Sequence, residues 1–144
     1  MSALARAFQR IEALLAIIAP FSYNRSSSMR MTASLLMANP RDEEEDDMAL
    51  LCCHGTAGEM FLMTRFPDEE ELEITLGEEP YLLRDLKVTL SAKRLLVEVA
   101  ARDADVFGGD DVLEIEHASD GADRAEIEET LRILLAGVGT LEIN

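Results

Sequence analysis

Between Glu71 and His117 the chain repeats one pattern, in which apolar and polar residues alternate for a few positions and a turn-forming cluster follows. Leu72, Ile74 and Leu76 alternate with Glu71, Glu73 and Thr75. Leu86, Val88 and Leu90 repeat the spacing, as do Leu95, Val97 and Val99 after the loop Ser91-Ala92-Lys93-Arg94. Beyond Gly108-Gly109-Asp110, Leu113 and Ile115 alternate with Glu114 and Glu116. A period of two puts successive side chains on opposite faces, so each segment reads as a strand with one buried and one wet face. Such a chain is organised around a sheet.

Upstream, Thr32–Ala38 is a short apolar run, and Met48–His54 and Glu59–Phe66 are apolar stretches joined by Gly55-Thr56-Ala57-Gly58, the spacing of a hairpin. Both faces of that hairpin are apolar, which puts it near the centre of the sheet. Downstream, Asp123 with Glu126 three residues on reads as a capping box. Ile127, Leu131, Leu134 and Leu135 then form a helical stripe that Gly137 and Gly139 stop, and Leu141–Ile143 reads as a last edge strand. The expected fold is α+β and mostly β: an antiparallel meander of about six to seven strands, with the C-terminal helix packed across one face. No repeat of fixed period appears, which excludes solenoids and propellers.

Residues 1–30 differ in character. Leu4, Phe8, Ile11, Leu15 and Ile18 recur at three- and four-residue steps, giving an amphipathic helix that Pro20 ends, and Phe21–Ser28 reads as a serine-rich linker. Three readings of this helix stand side by side: a secretory signal, a surface helix for a membrane or a partner, and a helix packed on its own domain. The remainder, 31–144, is expected to be a single domain, since 144 residues suffice for one core and not for two.

Charge narrows the function. The chain carries 29 acidic against 13 basic residues, a net −16. Residues 1–40 hold Arg6, Arg10, Arg25 and Arg30 against Glu12 alone, a balance of +3, so residues 41–144 carry −19. That field repels nucleic acid and anionic lipid and favours a basic protein. Two acidic blocks stand out as candidate partner-binding residues: Glu43, Glu44, Glu45, Asp46 and Asp47 in the first, Asp68, Glu69, Glu70 and Glu71 in the second. Like charges this dense belong in solvated loops. No apolar run is long enough for a membrane span, and the only cysteines, Cys52 and Cys53, are adjacent, so a cytoplasmic protein is expected.

Few residues suggest chemistry. Cys52-Cys53-His54 brings metal-ligand types together, but neighbouring residues of a strand point to opposite faces and no second ligand pair is spaced to complete a site. The pair is read as small hydrophobes in a buried strand, and His117 as a rim histidine with a backbone partner. Ser26-Ser27-Ser28 lacks the glycines of a nucleophile elbow, and neither acidic block has the ligand spacing of a calcium loop. Carboxylates are so abundant that their pairing is no evidence of catalysis. No enzyme, cofactor or metal is expected.

One ordering of these features is informative. The acidic loop Glu43–Asp47 precedes Met48–Cys53; then come Phe61-Leu62-Met63-Thr64-Arg65, the acidic stretch Asp68–Glu71, the hairpin from Leu86–Leu90 to Leu95–Val99, Leu113–Glu116, and a closing helix Ile127–Leu135. In that order, from about Ala33 to Ala136, the chain resembles the tenth immunity-protein family of bacterial polymorphic toxin systems. The glycine-rich run expected before the second hairpin is replaced by Tyr81-Leu82-Leu83-Arg84. The resemblance implies a mostly β, non-enzymatic protein that binds and neutralises a cognate toxin. Two alternatives remain. The chain also looks like an acidic type III secretion chaperone, although the only segment for its dimer helix, Ala100–Val106, is short and charged. The other is a phage-encoded acidic inhibitor that mimics nucleic acid.

Overall fold

The computed structural model describes residues 28–144, so the expected N-terminal helix and most of its linker lie outside the described residues. The described chain is α+β and mostly β. Its strands are β1 (Ser28–Asp42), β2 (Met48–Gly55), β3 (Met60–Arg65), β4 (Leu72–Leu76), β5 (Glu79–Leu83), β6 (Leu86–Leu90), β7 (Arg94–Val99), β8 (Val112–Glu116) and β9 (Gly139–Ile143). One helix, α1 (Gly121–Leu135), joins β8 to β9, and a 3-10 turn (Ala101–Val106) lies between β7 and β8.

These nine strands make one sheet in the order β5-β4-β3-β2-β1-β8-β7-β6-β9. This corrects the expected single meander of six to seven strands. Two runs are indeed local and antiparallel, β2 to β5 and β6 to β8. The pairs β1–β8 and β6–β9 are parallel, which requires long crossovers that no local pattern encodes. β1 is the hinge between the halves: Ser28–Thr32 pairs with β8, Ala33–Asp42 pairs with β2, and register shifts fall between Ala33 and Leu35 and again near Asp42. A bulge bends a strand and increases its twist, which lets one strand serve two partners. The boundary expected at residue 30 therefore falls inside β1.

The core forms on the face where the alternating residues meet α1. The row Ala38–Leu51–Met63–Ile74–Tyr81 runs across five strands, and Ala38, Leu51, Met63 and Ile74 join Val97, Ile115 and Leu131 in one buried cluster. Phe61 and Phe107 stack tilted, with ring centroids 6.4 Å apart, and so tie β3 to the segment after the 3-10 turn. α1 packs on β1, β2 and β9 through Ile127, Thr130, Leu131, Leu134 and Leu135. Its N-cap is Asp120, not the expected Asp123, which instead lies in the first turn, where a negative charge suits the helix dipole. Gly137, at φ 75°, reverses the chain into β9.

Candidate functional site

The two acidic blocks come together because β2 and β3 are antiparallel. Ala49 faces Arg65 across that pair, so the β1–β2 turn and the β3–β4 loop leave the same end of the sheet. In the turn, Asp42 caps a short 3-10 helix by accepting from the Glu44 amide at 3.1 Å, and the Asp47 amide closes back onto the Asp42 carbonyl at 2.9 Å. Asp46 and Asp47 adopt left-handed φ values of 55° and 63°, which aspartate tolerates better than most residues. Glu43 through Asp47 are all exposed. In the loop, Asp68 and Glu70 are exposed while Glu69 and Glu71 are half-buried.

Among the described residues, one cation pairs with any of these nine carboxylates: Arg84, 3.7 Å from Glu70 and 3.5 Å from Glu71. The other arginines at this end are committed elsewhere or line a cleft of about 430 Å³ between the loops and the end of α1. Arg65 donates to main-chain carbonyls and Arg132 to Glu128 at 2.7 Å, while Arg41, Phe66 and Ile133 complete the walls. The acidic loops thus form a rim at this end of the sheet, of which Asp47 alone lines the cleft. The pattern of acidic blocks identified the rim; the arginines beneath it carried no signal in the sequence, because each comes from a different element.

A second surface adjoins the first. On the side of β1 to β5 away from α1, Met37, Cys52, Leu62, Thr75 and Pro80 form one cross-strand row, and Asn39, Leu50, Thr64, Glu73 and Leu82 the next. Leu35, His54 and Met60 begin a third. Leu35 is 49% exposed, Met37 47%, Met60 38% and Leu82 56%, all high for large apolar side chains. Glu73 is the only carboxylate in the two complete rows. The sequence places β2 and β3 but reads both of their faces as apolar and central, whereas β4 is expected to have one wet face.

The cysteines divide between the two faces. Cys53 is fully buried in the core cluster, and burial, then the neighbouring Cys52 and Glu59, push its thiol up to about 12. Cys52, buried on the opposite face, is also raised by burial. His117 keeps the expected backbone partners: its Nδ1 accepts from the Ser119 amide at 3.2 Å and its own amide donates to the Lys93 carbonyl at 2.9 Å. It is buried, however, and not on a rim. Asp110 is buried at 1% exposure with neither carboxylate oxygen hydrogen-bonded among the described residues. No group of His, Cys, Asp and Glu among the described residues is arranged to hold a metal ion, and no described helix is long and apolar enough to cross a membrane.

Comparison of the chain with protein-family models, curated proteins and solved structures returns no match.

Proposed function

We propose that this chain is a binding protein, not an enzyme, and that it neutralises a basic protein partner in the manner of a bacterial immunity protein acting on its toxin. One observation carries the reading: both acidic blocks, Glu43–Asp47 and Asp68–Glu71, border one end of the sheet, with Arg84 as their only side-chain counter-ion among the described residues. Carboxylates this dense, with so few counter-ions, attract a basic surface over a distance of about a Debye length and speed its docking. The resemblance in element order supports the same role.

The secretion-chaperone reading is favoured by the exposed apolar face of β1 to β5. Against it, the segment for the dimer helix is a 3-10 turn of six residues.

The test begins with the partner retained by the full chain from its native cells. A folded basic toxin is expected, with an association rate that falls steeply from low to physiological salt. Replacing Glu43, Glu44 and Glu45 by Gln and Asp46 and Asp47 by Asn should slow association more than it speeds dissociation. An unfolded effector segment as the partner overturns the role; a toxin that binds equally fast at high salt removes these residues from it.

A further inference from the structure

The apolar rows and the acidic rim are parts of the same strands. Leu50 is three residues from Asp47 along β2, roughly 10 Å at the rise of an extended chain, and Asn39 and Met37 precede Asp42 on β1. Leu35, Met37 and Met60 thus expose a nearly charge-free sheet face on a chain whose last 104 residues carry −19, and carboxylates crowd one end of it. Stable protein interfaces have this layout, with apolar side chains at the centre and charged ones at the border. A second copy of the chain is disfavoured as occupant, because two chains of net charge −16 repel one another.

We propose that the outer face of β1, β2 and β3, centred on Met37 and Leu62, is the docking surface for a folded protein whose contact patch is apolar at its centre and bordered along one side by Lys and Arg. This rests on the reading of a basic partner and deepens it: the acidic loops set the approach, and the apolar rows hold the bound state. Charge at a rim governs mainly the on-rate, whereas a desolvated apolar centre governs the off-rate. A partner matched to the rim alone would dissociate quickly.

The full chain, labelled with ¹³C at its methionine methyls, provides the test. Met37 and Met60 report on the outer face, and Met63, fully buried in the core, is the internal control. The probe is an amphipathic helical peptide of leucine and lysine, compared with a serine and lysine peptide of equal charge. The Leu/Lys peptide should shift the Met37 and Met60 signals and leave Met63 in place, and should bind about tenfold more tightly than its Ser/Lys counterpart, a difference of about 1.4 kcal/mol. Met37→Asp, at an exposed position, should abolish that tenfold advantage, and the Ser/Lys peptide should bind the variant as it binds the native chain.

If both peptides bind alike and leave Met37 and Met60 unmoved, the docking face is overturned while the acidic-end reading stands. If neither binds at low salt, the electrostatic reading falls as well. Met37 and Met60 signals that shift with the concentration of the chain alone would assign the face to a second copy. Signals that shift on Phe8→Glu would assign it to the chain's own N-terminal segment. Either result overturns the proposal.

Discussion

The guanidinium of Arg65, at the end of β3, donates to the main-chain carbonyl of Leu134, 69 residues away in the last turn of α1, at 3.1 Å. The same side chain reaches the Ala136 carbonyl and, through Nε and Nη2, the Glu69 carbonyl at 3.1 and 3.0 Å. One planar group thus fastens the second acidic loop and the negative end of the helix dipole to a central strand. Arg65→Ala should cost about 1.5–3 kcal/mol in urea unfolding, the range for hydrogen bonds to a charged group. Arg65→Lys should recover less than half of that, since an ammonium lacks the fork. A lysine variant as stable as the native chain would show that the fork adds nothing, and an equally stable alanine variant that the tether contributes nothing.

Gly139 is required by close approach, not by its backbone angles. A Cβ there would lie 2.5 Å from the Leu86 carbonyl oxygen and 2.9 Å from Leu135 Cδ2, so β9 would have to move away from β6. Gly139→Ala is expected to lower stability by about 1–3 kcal/mol, the range for overpacking. Gly137→Ala provides the contrast: open space surrounds that position, and the cost comes from φ 75° alone, about 1 kcal/mol. Thermal unfolding of the two variants should rank them in that order.

Alkaline pH should expose the burial of Cys53. Its thiol ionises near 9.0 in an unfolded chain but holds its proton to about 12 in the fold, so above pH 9 the folded state binds more protons than the unfolded one. Stability is therefore complete below pH 9 and declines as pH rises toward 12. Tyr81, raised by burial and the neighbouring Glu79, and Lys87, raised by its bond to Glu142, also contribute in the alkaline range. Cys53→Ala should flatten the decline without removing it, as read from urea midpoints at a series of pH values. An unchanged slope would mean that the thiol does not titrate with unfolding.

What the sequence revealed depended on the range of the interactions involved. Strands with strict alternation, such as Leu72–Leu76 and Arg94–Val99, are legible because a period of two is a local property, and so are the β2–β3 and β6–β7 hairpins. β5 is not legible because Glu79-Pro80-Tyr81-Leu82-Leu83 has a proline at its second position, which suits only an edge strand, and its neighbours do not alternate. The start of β1, Ser28–Arg30, falls in the expected N-terminal segment because serines mask the alternation of Met29 and Met31 with Arg30 and Thr32. Neither parallel pairing was readable, since both join segments far apart in the chain. The acidic rim was visible as composition, but its convergence at one end followed only from the β2–β3 register. The exposure of Leu35 and Met37 was hidden for the opposite reason, because apolar residues on both faces of a strand read as burial.

The division of β1 between two partners sets an order of events at the ribosome. β2 to β5 follow it directly and can pair with its second half as they emerge, but the first half needs β8, and Ser28 meets Val112 only after the 83 intervening residues have been made. Until then Met29 and Met31, later buried, sit on a strand whose edge has no neighbour. Local pairings form early and distant ones late, so synthesis holds this chain half-closed with a sticky edge for most of its length. Anything that slows translation between β5 and β8 prolongs that interval, and the yield of folded protein should depend on elongation rate there more than anywhere else in the message.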